Sequence, residues 1–521
     1  MIPRIWYWLA SRDSGVRRTD GLGAEYFGSI TAGTELRAKA IRGGVVTVVS
    51  QVAATVFQLL NAIVLARLIT PRDFGIVIMV LTFSQPLQNF GENVFVDAIV
   101  QNKRVTPEQV STLFWLNLGC CSVLAMLFIA VAPLIAWFYH EPDLRAVAVA
   151  LAGAIVLTSL GSQHLALLRR NMQFGRVNAG ALVAKAISVL VGITMAWYGW
   201  GYWSLVASLL LSPILVCVGA WVCCPWRPGL PSQLADVRAM IKFALHTSAS
   251  FYTNYIGRNL DNVLVGWRFG SISLGNYKKA YDLFSLPASQ TSVPLTSVVL
   301  SGLSRLRDDP ERFRRSYLRA IAPLAIVGMG LSALLTLTGR DWLALLLGPK
   351  WVEAGKIIAY FGPGVGVMLL YQTSGWLHLS LGRADRWFRW RIVELLVTSL
   401  ALVVGLQFGP RGVAVAWVCV FGLLVGPSLA YAGRPVGLGL SSILSVVWRY
   451  AFAAILAGGL CWFLFDRAGT VASIFTALSN IVQVVVLSLS FVIGYVLVLL
   501  AFPYASTFEP IVEFVKLVRR K

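Results

Sequence analysis

Residues Val110–Ala136 read VSTLFWLNLGCCSVLAMLFIAVAPLIA, an apolar run without one charged side chain. A helix rises 1.5 Å per residue, so about 20 such residues cross the roughly 30 Å of hydrocarbon in a bilayer. In lipid, a stretch of this kind satisfies its backbone polar groups only as a helix. The rest of the chain agrees with it. The 521 residues are 57% hydrophobic and 13% charged, with a mean hydropathy of +0.73. A soluble surface needs roughly a quarter charged residues, so an ordinary soluble enzyme is excluded.

Working outward from that run, candidate spans fall at 43–66, 75–98, 110–136, 146–167, 177–198, 203–224, 241–265, 275–300, 319–339, 353–381, 391–408, 412–433, 449–466 and 480–501. Three of them (75–98, 241–265 and 275–300) are polar enough to be missed by hydropathy alone. Charge alternation supports them. With the N-terminus inside, 31 of the 44 Lys and Arg lie on the inner side, 8 on the outer side and five within spans. Dropping one span would scramble this bias from that point onward. The expectation is an all-α polytopic membrane protein of about fourteen helices, in an inner (plasma) membrane, with both termini cytoplasmic. Residues 1–42 and 502–521 read as cytoplasmic tails. No outer loop is long enough for a folded domain.

The formal net charge is +21. Spread over short loops, it suits an anionic leaflet rather than nucleic acid. The seven cysteines sit in or beside apolar runs, without zinc-ligand spacing, and read as packing residues. The N-terminal apolar piece Ile5–Ala10 is too short for a signal peptide, and Arg12, Arg17 and Arg18 follow it. Phosphate-loop, HExxH and nucleophile-elbow motifs are absent, so neither a catalytic residue nor a metal ligand set is expected.

The chain also repeats itself. Thr47, Ser50, Leu60 and Gly75 recur 200 residues later as Thr247, Ser250, Leu260 and Gly275. Pro107-Glu108 recurs as Pro310-Glu311, and His164 and His378 lie late in the fourth and tenth spans. In matching register these suggest a six-helix unit duplicated in parallel: 43–224 as one lobe, 241–433 as the other, and 449–501 as two extra helices. Secondary transporters build a central site between such repeats.

Polar residues inside the spans mark the candidate site. Gln58 and Asn61 extend a stripe begun by Thr47 and Gln51; Arg258 and Asp261 extend another begun by Thr247, Ser250 and Asn254. Lys185 lies midway along the fifth span, and Lys278, Lys279 and Asp282 open the eighth. A charge at mid-membrane costs roughly 2.5–3.5 kcal/mol on insertion scales, so these side chains face protein or water. Interhelical hydrogen bonds, local Arg258–Asp261 and Lys278–Asp282 pairs, and snorkelling are the structural alternatives. Because cations exceed the partners available, the reading favoured here is an anion grip. The Arg258 fork matches phosphate oxygens. Glu92, Asp97, Glu394, His164 and His378 are candidates for ion or proton coupling, the histidines also being candidates for plain interface residues. Pro86, Pro287 and Pro363 are expected to be hinges.

Several segments resemble one family. AIRGG at Ala40–Gly44, LARLITPRDFG at Leu65–Gly75, STLFWLN at Ser111–Asn117, LRRNMQF at Leu168–Phe174, NLDNVLVG at Asn259–Gly266 and LGNYKKAY at Leu274–Tyr281 together are similar to the Wzx/WzxC-type polysaccharide flippases, the lipopolysaccharide-biosynthesis branch of the MOP superfamily. The resemblance spans about Leu36 to Phe502. It implies two six-helix lobes around a central cavity, alternating access, and transfer of an undecaprenyl-pyrophosphate-linked oligosaccharide to the outer leaflet for O-antigen, capsule or exopolysaccharide synthesis. It further implies a possible ion or proton gradient in place of any cofactor, and a polysaccharide polymerase and export machinery as possible partners alongside membrane lipids. A multidrug or toxin antiporter of the same fold is the alternative, disfavoured by the excess of basic residues in the spans. A membrane glycosyltransferase or polymerase would need an outer loop or acidic cluster that the sequence lacks. A pure assembly scaffold would not require buried charges.

Overall fold

The computed structural model describes residues 55–102, 105–231, 237–467, 475 and 478–502. The terminal tails and Thr47, Ser50 and Gln51 lie outside them, as do the side chains of Thr247, Ser250, Asn254 and Pro287. Among the described residues the structure is helical throughout, with no strand.

The helices, in chain order, are α1 (Thr55–Leu68), α2 (Pro71–Asn93), α3 (Val96–Gln101), α4 (Pro107–Tyr139), α5 (Leu144–Arg170), α6 (Phe174–Trp197), α7 (Tyr202–Cys223) and α8 (Arg238–Ser304). They continue as α9 (Pro310–Leu347), α10 (Val352–Phe361), α11 (Gly364–Gln372), α12 (Ser374–Ser380), α13 (Ala384–Leu406), α14 (Gly409–Gly433), α15 (Leu440–Trp462) and α16 (Asn480–Ala501). Among the described residues eight are long and apolar enough to cross a membrane, and the pair Pro349–Phe361 with Gly364–Ser380 passes the same measure together but is bent by 59°.

Local chemistry sets the helix starts. Thr70 and Asp73 cap each other at α2: the Asp73 amide donates to the Thr70 hydroxyl at 3.2 Å, and the Thr70 amide donates to the carboxylate at 3.0 Å. Thr106 and Gln109 repeat this box at α4. Pro71 and Pro107 take the first helical position, where no backbone donor is needed. Asp309 and Pro310 open α9 similarly, with the Arg312 amide donating to the Asp309 carboxylate.

Pro86 does not end its helix; α2 runs through it and stops at Asn93, and α3 starts at Val96. A proline removes the amide that would serve the carbonyl four residues back, here that of Thr82. The Tyr255 hydroxyl fills that vacancy at 3.1 Å, and Tyr252 donates to the Pro86 carbonyl at 3.1 Å. With the orphan carbonyl satisfied, the helix continues. The helix breaks instead between Asn93 and Val96, and where α3 ends at Gln101 the buried Arg170 guanidinium caps the carbonyls of Ile99 (3.0 Å) and Asn102. Pro363, by contrast, sits in the 59° bend between the α10 and α11 segments. The two spans expected at 241–265 and 275–300 both fall in α8, whose two helices meet at a kink at Gly270 with φ 77° and ψ −178°. Only glycine adopts that conformation without strain.

The chain forms two compact units, Met1–Gly275 and Asn276–Lys521. In the first, α5 packs on α2, α4 and α7, and α6 packs on α7. One core there gathers Phe95, Ile99, Leu113, Phe114, Leu167 and Trp226. In the second, α9 is the spine against which α10, α11, α15 and α16 pack. Close approach there is made possible by Gly328 facing Gly366, and the Ser332 hydroxyl accepts from the Gly366 amide at 2.8 Å.

Candidate functional site

In the first unit the second polar stripe lies on α8. Its residues are tied along the helix: Asn259 donates to the Tyr255 carbonyl at 3.0 Å, Asn262 donates to the Asn259 side chain at 3.0 Å, and the Asn262 amide donates to the Asp261 carboxylate at 2.8 Å. Asp261 is buried. Arg258 is exposed and has no hydrogen-bond or ion-pair partner among the described residues. The local pair proposed for Arg258 and Asp261 is therefore not formed. Lys185, half-buried on α6, likewise has no partner among the described residues. On α1, Gln58 is exposed, and the Asn61 side-chain carbonyl is buried without a hydrogen-bond donor among the described residues. An unmet acceptor of this kind costs about 1–3 kcal/mol.

In the second unit the cations are matched. Lys278 pairs with Asp282 at 2.8 Å and lies over the Tyr281 ring at 5.1 Å. Lys279, only 7% exposed, lies 5.6 Å from the Trp351 ring. A cation over an aromatic face regains part of its lost hydration. Glu394 is held by Arg391 through both carboxylate oxygens, at 2.8 and 3.1 Å. The pairing leaves that carboxylate little freedom to exchange ions. Glu92 and Asp97 flank the interruption between α2 and α3, both exposed.

Both histidines are packed rings. His164 stacks on Trp221 at 4.4 Å beside Trp226, while Arg227 covers the other ring neighbourhood 5.3 Å from Trp221. His378 leans on Tyr431 at 5.6 Å, and Arg386 lies 4.2 Å over that ring and donates to the Tyr431 carbonyl at 2.7 Å. Each unit thus repeats one arrangement, a buried histidine on an aromatic ring beneath an arginine.

The sequence reading passed over a polar cluster at the other ends of the first unit's helices. Glu141, between α4 and α5, accepts from Arg72 at 3.1 Å and from the Ser271 hydroxyl at 2.7 Å. Asp143 also pairs with Arg72, at 3.3 Å. The Glu141 hydrogen bond is the main reason the Arg72 guanidinium is held above its ordinary pKa. The only sequence signal was the Gly75/Gly275 recurrence beside it; nothing in the Glu141-Pro-Asp143 loop marks its partners.

The model of a family described as polysaccharide biosynthesis protein matches residues 64–356. Lipopolysaccharide biosynthesis protein WzxC of Escherichia coli (strain K12) is 24% identical over 448 residues, 82% of this chain and 90% of the relative. Teichuronic acid biosynthesis protein TuaB of Bacillus subtilis is 26% identical over 390 residues, covering 71% and 77%. Succinoglycan biosynthesis transport protein ExoT of Rhizobium meliloti is 23% identical over 358 residues, covering 68% and 72%. Among solved structures, the lipid II flippase MurJ in an inward closed conformation superposes with a TM-score of 0.71 at 14% identity, covering 91% of this chain and 100% of that one. An inward-facing MATE-family multidrug transporter of the MOP superfamily follows at 0.55 and 14%, covering 73% and 94%. At such identities the structural likeness establishes the fold.

Proposed function

The chain belongs to the polysaccharide biosynthesis protein family, and from that premise we propose that it is a flippase carrying a lipid-linked oligosaccharide across the membrane for cell-surface polysaccharide synthesis. The names of its relatives, two biosynthesis proteins and a transport protein, support the substrate class. The MurJ-like fold supports the mode of action. The observation that carries the reading at the residue level is the contrast between the units. Lys278 and Glu394 are matched by opposite charges, whereas Arg258 and Lys185 keep cationic heads without described partners inside helical segments. Charge left unmatched in such a segment is costly unless a ligand supplies the counter-charge. A diphosphate linking lipid to glycan supplies it, and guanidinium binds phosphate oxygens through two parallel hydrogen bonds.

The finer reading goes with it. Fourteen crossings, two six-helix lobes with two added helices, an undecaprenyl diphosphate carrier, alternating access, an inner-membrane location with cytoplasmic termini, and partnership with a polymerase and export machinery form one consistent proposal. Coupling to an ion or proton gradient belongs to it; of the candidate carboxylates, Glu394 is already paired with Arg391 and Asp282 with Lys278. Non-enzymatic transport is the corresponding reading of the missing catalytic constellation. An organic-cation antiporter would call for unmatched carboxylates rather than unmatched cations.

Deletion of the gene is expected to leave lipid-linked repeat units on the cytoplasmic face. Wild-type protein should restore surface polysaccharide, while Arg258→Ala and Lys185→Ala insert normally and restore little. Full restoration by both variants overturns the anion grip. Normal surface polysaccharide in the deletion strain overturns the function itself.

A further inference from the structure

Two glycines one repeat apart meet in the first unit. A methyl group placed on Gly75 would run into the carbonyl of Ser271, and one placed on Gly275 would run into the carbonyl of Pro71. Position 271 is 71 plus the repeat offset of 200, so the contact is reciprocal: each glycine seats the backbone four residues before its counterpart. The elements correspond as well. Pro71 opens α2 after the Thr70 cap, and Ser271 resumes α8 after the kink at Gly270, again 200 residues on. The first turns of two helices therefore cross as a local pseudo-twofold pair, close enough that backbone lies on backbone.

That crossing brings two positive helix ends and Arg72 together, which by itself is unfavourable. Glu141 answers all three. Its carboxylate accepts from Arg72 on one helix start and from Ser271 on the other, and its side chain is 17% exposed. Asp143 reaches only Arg72, and Asp73 is engaged in capping Thr70. The Leu274 side chain beneath is fully buried.

We propose that Glu141 is the positioning residue of a latch that fastens the two glycine-bearing helix starts, and that the latch must open and re-form in each transport cycle. The second half of this statement rests on the flippase reading above; the first does not. The crossing tolerates no side chain at Gly75 or Gly275, and Glu141 supplies the one carboxylate among the described residues that spans both helix starts.

Amide hydrogen exchange on the full chain in lipid nanodiscs tests it. In Glu141→Gln, exchange should rise about tenfold in residues 71–75 and 271–275 together, with 151–166 on α5 unchanged, because local opening is cooperative across a fastened unit. Gly75→Val should loosen 271–275 as well as its own segment. Ser271→Ala, which removes only the bond to the second helix start, should loosen 71–75 together with 271–275 while 151–166 stays unchanged; loosening confined to 271–275 overturns the latch. Wild-type exchange in Glu141→Gln, or loosening confined to 71–75 in Gly75→Val, overturns the latch. Should Gly75→Val fail to insert, Glu141→Gln and Ser271→Ala decide alone. Flipping of a fluorescent lipid-linked glycan in vesicles is the second readout. Coupled loosening with undiminished flipping overturns the cyclic role, and a wild-type chain that flips nothing overturns the transport reading while leaving the exchange result intact.

Discussion

Tyr255 shows how much one hydroxyl can decide. It occupies the carbonyl that Pro86 leaves open at Thr82, so Tyr255→Phe exposes the full cost of an unmet buried acceptor, about 1–3 kcal/mol. Thermal unfolding in detergent should register the loss. In a Pro86→Ala background the same change is expected to cost almost nothing, because residue 86 then donates its own amide to Thr82; an equal loss in both backgrounds would refute this account. Lys278→Met is expected to be mild for a different reason. Its partner Asp282 is 45% exposed and can turn to water, so stability should change by less than about 1 kcal/mol. The contrast with Arg258 and Lys185 is sharp: their replacement should spare stability and remove transport.

At the scale of the element, breaks and close approaches matter more than hydrophobicity. The bent pair α10 and α11 meets at 59° and is seated on α9 because Gly328 and Gly366 let the backbones touch. A valine at 366 must displace α9, an overpacking cost of about 1–3 kcal/mol, and Gly366→Val should lower the unfolding temperature accordingly. An unchanged unfolding temperature would mean the two helices are free to separate. The histidine stacks act at the same scale. In each unit an arginine caps carbonyls at a helix end (Cys224 and Trp226 in one, Tyr431 in the other) while covering the ring that the histidine packs against. His164→Phe should therefore preserve transport across the pH range, whereas a change in its pH profile would restore the proton-carrier reading. These arrangements were half legible beforehand. The histidines stood out by their matching positions, but their rings' partners come from other helices, 57 and 53 residues further along the chain.

For the whole molecule, the inner-side excess of Lys and Arg gives a topology that can be measured. Reporters fused at residue 1 and residue 521 should be active in the cytoplasm, and reporters placed near Glu141, Gly199 and Phe408 should be active outside. A reversed signal at any single site removes one crossing and shifts every later one. The helical segments themselves were largely readable, since an apolar run long enough for the bilayer has one backbone solution. The polar ones, which fall in α2 and α8, were readable only through charge alternation.

What the amino-acid order determined unaided is helical class and the positions of the long apolar segments, because each depends on contacts within a few residues or on composition. Tertiary structure decided the rest. Which cations are matched, where Pro86 finds its missing donor, and how Gly75 and Gly275 come to face one another depend on pairs of helices far apart in the chain, and no local pattern specifies a partner's distance or direction.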